Sequence, residues 1–275
     1  IIAAIGEPIA LPNVDAQVGC SIGIALLGEN APDLESLLRA ADTAMYAAKD
    51  AGRNTFQFYN SSFYERVQRR VTLEQELRQA LARGEFHLAF QPTLSLRDGS
   101  VACIEALLRW KTASGEQRSP AEFIPVAEEC GEILPIGRWV LEQACRQARQ
   151  WHEQGLAFGR IAVNVSALQL RDPEFATQVL QACARERWPS DRLVLEITES
   201  ALMRDSEALR NTFALFKANG ITLAIDDFGT GFSNLGYLHR FPVRTLKIDR
   251  SFISQMDSTA NMLELTHAVV SLGHA

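Results

Sequence analysis

From residue 86 onward, short apolar runs rich in β-formers alternate with helix-patterned stretches, and this alternation limits the possible folds more than any other feature of the chain. Strands are expected at 86–91, 101–107, 160–165, 192–197, 221–226 and 243–248. Helices are expected near 120–130, 136–154, 172–187, 206–219, 233–240 and 258–272. The last four strands are mainly apolar and each precedes a helical stretch, the pattern of a parallel sheet buried on both faces. Chemistry in such folds gathers at the carboxyl ends of the strands. A closed barrel of this kind needs eight strands and six are visible, so two more are expected beyond Ala275.

The strand ends repeat one chemistry. Glu105 comes late in the second strand, Asn164 ends the third and Glu196 the fourth. Asp226 and Asp227 end the fifth, and Lys247, followed by Asp249, ends the sixth. Any one of these reads as a helix cap or a surface charge. Five successive strands ending in an acid, an amide or a lysine point instead to a shared site. Adjacent carboxylates at a sheet mouth are costly without positive charge between them. All-oxygen ligands suit Mg²⁺ or Mn²⁺, and none of the five His stands at a strand end. A lysine beside such a cluster can orient a water or a phosphate oxygen. Arg109 lies just outside it and suits either a substrate phosphate or an ordinary ion pair. Asp227-Phe228-Gly229 matches a kinase triplet in letters only, because no Gly-rich phosphate loop and no HRD-type catalytic loop precede it.

Ahead of this region, residues 7–27 read as a β-hairpin whose second strand is Val18 to Leu27. Asp33 starts a helix with Leu34, Leu37, Leu38, Ala41, Met45 and Ala48 at helical spacing, and Gly52 ends it. A short strand follows at 56–59. Residues 61–84 read as an interdomain helix with Phe63, Val67, Val71, Leu77 and Leu81 on one face. The expected division is therefore 1–60, a linking helix over 61–84, and a second domain over 85–275. Beginning at Ile1 without Met and stopping after an amphipathic stretch, the chain reads as an excerpt of a longer protein.

A net charge of −6 without a long basic block disfavours nucleic-acid polymers as partners. Five Cys with no CxxC pair fit a reducing cytoplasmic setting rather than a disulfide scaffold or a structural zinc site. No apolar run is long enough to span a bilayer.

The motifs Gln91-Pro92, Glu105-Ala106-Leu107-Leu108-Arg109-Trp110, Phe123-Ile124-Pro125, Asn164-Val165-Ser166, Glu196-Ile197-Thr198-Glu199, Asp226-Asp227-Phe228-Gly229-Thr230-Gly231 and Lys247-Ile248-Asp249 stand in order. Together they resemble the EAL domain from about residue 73 to 275. Residues 1–59 resemble the carboxyl-terminal part of a GGDEF (diguanylate cyclase) domain through Ser21-Ile22-Gly23-Ile24-Ala25 and the helix Ala41 to Lys49 with Gly52-Arg53-Asn54. The GGDEF loop itself is not in the sequence.

The resemblance implies a modified (β/α)8 TIM-like barrel, preceded by a partial α+β domain, that hydrolyses cyclic di-GMP to linear pGpG in bacterial second-messenger signalling, a process tied to biofilm formation. It implies that Glu105, Asn164, Glu196 and Asp226 ligate one Mg²⁺ or Mn²⁺ and that Asp227 helps hold a second. Lys247 positions the attacking water, and Gln91 and Arg109 contact the dinucleotide. Glu199 braces the loop after Asp227, where Gly229 and Gly231 permit movement. That loop is implied in dimerisation and in coupling regulation to the metals, with sensor domains fused upstream. The family's later motifs, among them a strand-end Glu serving as general base, are not in the sequence, which stops at Ala275. Two other readings are a catalytically inactive EAL domain acting as a cyclic di-GMP receptor and, without the resemblance, a Mg²⁺-dependent lyase or isomerase on a (β/α)8 scaffold.

Overall fold

A computed structural model describes residues 1–7, 9–11, 14–28, 32–202, 207–229, 243–254 and 260–274. The expected helix at 233–240, with Thr230 and Gly231, lies outside the described residues. Two compact units divide the chain, Ile1–Glu76 and Leu77–Ala275.

The first unit opens with a single helical turn, α1 (Ile2–Ile5), then β1 (Ile9–Leu11) paired antiparallel with β2 (Val14–Ala16). β3 (Ile22–Ile24) runs through α2 (Leu34–Asp50) to β4 (Phe56–Phe58) and pairs with it in parallel. The long hairpin expected over 7–27 is therefore replaced by a tight one over 9–16. The later strand finds its partner across a helical crossover, the connection that parallel pairing demands. Asp33 caps α2 by accepting from the Ser36 N–H at 2.8 Å. The buried face of α2 is Ala40, Ala44 and Ala48, whereas Leu34 and Leu38 are exposed. Close approach explains this correction: a Cβ on Gly23 would lie 1.9 Å from the Ala41 carbonyl oxygen, so only small residues face β3. α3 (Ser61–Ala80) buries the expected Leu77 together with Leu73 and Ala80, whereas Val71, also expected on that face, is exposed; the side chains of Phe63 and Val67 lie outside the described residues.

In the second unit β5 (Phe86–Leu94) and β6 (Val101–Lys111) are followed by β7 (Gln117–Arg118), α4 (Pro120–Cys130) and α5 (Ile133–Glu153). β8 (Arg160–Val165), α6 (Ala167–Leu170), α7 (Phe175–Arg185), β9 (Leu193–Thr198), α8 (Glu199–Leu202), α9 (Glu207–Ala218) and β10 (Thr222–Phe228) come next. β11 (Val243–Ile248), α10 (Arg250–Ser254) and α11 (Ala260–His274) complete it. The sheet order is β11-β10-β9-β8-β6-β5, with β7 on β6. Strands β6, β8, β9, β10 and β11 are parallel, as the apolar runs require.

β5 departs from that rule and pairs antiparallel with β6. Its connection is too short for a crossover. Ser95 N–H bonds the Ser100 carbonyl at 2.8 Å, Asp98 accepts from Ser100 N–H at 3.1 Å, and Gly99 takes φ 72°. Asp-Gly turn chemistry closes the hairpin.

The helices cover the sheet with the stripes their sequences supply. α5 buries Ile133, Ile136, Gly137, Val140, Leu141, Ala144, Cys145 and Ala148, a continuous 3.6-residue repeat. α9 buries Leu209, Thr212, Phe213 and Phe216 at the same period. Among the described residues no helix is long and apolar enough to cross a membrane.

Two motif residues serve the core. Trp110 and Phe123 are fully buried and meet edge-on at 5.4 Å, with Phe86 5.5 Å from Trp110. The Trp110 indole N–H donates to the buried Glu85 carboxylate at 2.9 Å. Trp110→Ala should lower unfolding free energy by about 3–5 kcal/mol, because it opens a cavity and strips Glu85 of its donor. Urea denaturation checks this, and a loss under about 1 kcal/mol contradicts it.

Candidate active site

The site grows from strand periodicity. Cys103 on β6, Ala162 on β8, Val194 on β9 and Ala224 on β10 pack together as one apolar cluster. Side chains on a strand repeat every two residues. Two positions on from each of these, toward the carboxyl end, stand Glu105, Asn164, Glu196 and Asp226. The apolar cluster is thus a floor, and the polar residues form the next layer above it. Lys247 joins from β11, whose Leu246 is paired with Ile225.

Three carboxylates, from Glu105, Glu196 and Asp226, converge so that one oxygen of each lies within 4.8 Å of the others. The Lys247 ammonium donates to all three: 3.0 Å to Glu105 Oε2, 2.5 Å to Glu196 Oε2 and 3.1 Å to Asp226 Oδ2. Asn164 Nδ2 donates to the other Glu105 oxygen at 2.7 Å. Burial, offset in part by Lys247 and reinforced by Glu105 and Asp226, pushes the Glu196 carboxyl up to about 7. Burial opposes the Lys247 charge, yet the hydrogen bond and charge of Glu196, with Asp226 and Glu105 behind it, hold its pKa above the ordinary lysine value. The pocket therefore concentrates negative charge and holds a cation at its centre. Its oxygen-only carboxylate set is the kind that hard divalent ions prefer.

Asp227 stands beside this cluster rather than within it. Its backbone takes φ 52°, uncommon for a residue with a side chain, and its N–H donates to Asp226 Oδ1 at 3.0 Å. Burial first, then the charges of Asp226 and Asp249, raise its carboxyl pKa. Asp249 shares a hydrogen bond with Asp227 and accepts from the Ser251 N–H at 2.8 Å. Gly229 follows at φ 98°, where a Cβ would lie 2.6 Å from the Phe252 ring, so glycine is required there. The buried Glu199 accepts from the Gly229 N–H at 3.4 Å.

The antiparallel first strand brings Gln91 directly opposite Glu105 in register. Arg109 lies four residues beyond Glu105 on the same face of β6. Its guanidinium donates to the Leu108 carbonyl at 2.8 Å, and it forms no ion pair with a carboxylate among the described residues.

Sequence reasoning passed over the floor layer and one support. Ser166 and Gln169 form a reciprocal capping box at the start of α6, which fixes the chain immediately after Asn164. A Cβ on Gly137 would fall 2.1 Å from the Gln169 amide nitrogen, so Gly137 makes room for that support on α5. The S-x-x-Q spacing after Asn164 was its signal, and apolar residues two positions before Glu105, Asn164, Glu196 and Asp226 were the signal for the floor.

A mostly parallel β/α sheet with an acidic centre at its strand ends defines a TIM-barrel-like class. More narrowly, the chain belongs to the EAL domain family, which matches residues 74–275. Residues 1–55 match the diguanylate cyclase, GGDEF domain. The bifunctional diguanylate cyclase/cyclic di-GMP phosphodiesterase MucR of Pseudomonas aeruginosa is 40% identical over 273 residues, covering 99% of this chain and 40% of MucR. The cyclic di-GMP phosphodiesterase PdeR of Escherichia coli is 36% identical over 278 residues, covering 100% of this chain and 41% of PdeR. The chain thus spans about two fifths of the length of these relatives. Among solved structures, the PaMucR phosphodiesterase in a c-di-GMP complex superposes with TM-score 0.70 at 41% identity, over 74% of this chain and 82% of that one. The Pseudomonas aeruginosa FimX EAL domain bound to c-di-GMP gives TM-score 0.66 at 27% identity, over 74% of this chain and 81% of that one.

Proposed function

We propose that this chain carries a divalent-metal-dependent phosphodiesterase that opens cyclic di-GMP to linear pGpG. The observation that carries the reading is the convergence of Glu105, Glu196 and Asp226, from three strands, around one cationic centre. Glu105, Asn164, Glu196 and Asp226 would hold one Mg²⁺ or Mn²⁺, and Asp227, with Asp249 beside it, would help hold a second. Ions bound there supply positive charge against the phosphoryl oxygens and make water acidic enough to attack at neutral pH. Lys247 keeps the attacking water in line, and its raised pKa keeps it a donor throughout. Attack on phosphorus forms one P–O bond and breaks the bond to the 3′ oxygen, so one water is consumed for each ring opened. Gln91 and Arg109 orient the dinucleotide, and Arg109 suits a phosphate because no described carboxylate neutralises it. Glu199 braces the segment after Asp227 through Gly229. In this reading the present segment is cytoplasmic, the loop after Asp227 contributes to a homodimer contact, and sensory domains fused upstream act through it.

The test is chromatographic analysis of cyclic di-GMP incubated with the protein. Linear pGpG is expected with Mg²⁺ or Mn²⁺, its formation stopping on chelation with EDTA and resuming when excess ion is restored. Dinucleotide that is bound but recovered intact in the presence of either ion would make the chain a receptor and refute the enzyme reading. Arg109→Ala should raise KM at least about tenfold with a smaller effect on kcat, because it removes binding common to substrate and transition state. Steady-state kinetics with an unchanged KM would remove Arg109 from the site.

A further inference from the structure

Below the apolar floor, the amino ends of the same strands border a second polar space open to solvent on one side. A cavity of about 420 Å³ is lined by Arg160 at the start of β8, Lys217 near the end of α9, and Arg244 on β11. Gly220 and Thr222 contribute its wall, and Asp191 is its single acid. Arg160 stands two residues before Ala162 and four before Asn164, on the face that carries both. At about 3.3 Å per residue the cavity therefore lies roughly 13 Å from the Asn164 level, on the far side of the floor.

Three cations around one small space repel each other, Arg160 from a half-buried position and Lys217 and Arg244 from exposed ones. Among the described residues none of the three makes a side-chain hydrogen bond or an ion pair. Two other arginines of this domain are matched: Arg146 pairs with Glu186 at 2.7 Å, and Arg192 donates to the Gly159 carbonyl at 2.9 Å. Lys217 also faces the carbonyl end of α9, which offsets part of its charge. Arg160, half-buried, and Arg244 have no such compensation. Guanidinium groups in a concave site of a few hundred Å³ fit a compact phosphate-bearing anion better than an extended acidic peptide.

We propose that this cavity is a second binding site, distinct from the carboxylate centre, for a small phosphorylated compound carrying at least two negative charges. Its occupant neutralises Arg160, Lys217 and Arg244 together. The site is independent of the phosphodiesterase reading, because it uses none of the residues assigned there.

Isothermal titration of the full chain with pyrophosphate, at constant ionic strength and with EDTA to remove divalent ions, tests this. Saturable binding is expected, weakened at least tenfold in Arg160→Met and in Lys217→Glu, and unchanged in Glu105→Ala. Lys217 is exposed on a helix, so its variant reports even where Arg160→Met unfolds. Absence of saturable binding in the unaltered chain overturns the proposal. Equal affinity in the unaltered chain and Lys217→Glu, or loss of binding in Glu105→Ala, overturns it as well by placing the anion elsewhere.

Discussion

Glu105→Ala is expected to reduce turnover at least about a thousandfold, equivalent to about 4 kcal/mol of activation barrier. Glu105 uses both carboxylate oxygens: one accepts from Lys247 at 3.0 Å and the other from Asn164 at 2.7 Å. Removing the side chain deletes one ligand of the proposed ion and frees the amide that completes the set. It also leaves Lys247 with two carboxylates instead of three. None of these losses reaches the core, since Glu105 stands on a strand paired on both sides and above the apolar floor. The melting temperature should therefore shift by only a few degrees while activity disappears. Activity within a factor of a few of the unaltered chain would take Glu105 out of the site.

Lys247→Met is the second large effect, and it separates two roles of one side chain. In the proposed reaction the ammonium would hold the attacking water, so its loss should lower turnover at least about a hundredfold. In the folded protein it is the cation that three clustered carboxylates share. Without it, Glu105, Glu196 and Asp226 face one another as like charges. Breaking such a largely buried set costs up to about 3 kcal/mol, because the partners left behind stay poorly solvated. Added Mg²⁺ or Mn²⁺ supplies the missing charge, so the variant should gain more thermal stability from either ion than the unaltered chain does. Melting curves with and without ion measure this. An equal gain in both proteins would show that Lys247 does not neutralise the cluster.

Much of this site was legible because strand chemistry is local. An apolar run with period two states which residues share a face, and its last residues state what is presented at the mouth. That was enough to place Asn164, Glu196, Asp226 and Lys247 near strand ends; Glu105, expected late in a strand over 101–107, stands mid-strand because β6 runs on to Lys111. The antiparallel entry of β5 was missed, although Asp98-Gly99 announced a tight turn. Without that reversal the reason Gln91 stands opposite Glu105 was invisible. The distinction between Asp226 inside the cluster and Asp227 beside it was also beyond the sequence, since it depends on a positive φ that two identical letters cannot reveal. Errors in the first unit have a similar origin. Leu34 and Leu38 carry the hydrophobic signal of α2, but Gly23 sets the distance of approach and so selects the alanine face. Pattern ranks residues by greasiness, whereas packing ranks them by fit.

The central claim is that carboxylates from separate strands form one divalent-ion site, and Mn²⁺ titration followed by electron paramagnetic resonance tests it without reference to turnover. The signal of free Mn²⁺ should be suppressed by the unaltered chain and restored almost fully by Glu105→Ala combined with Glu196→Ala. Equal suppression by the unaltered chain and the double variant would contradict the account.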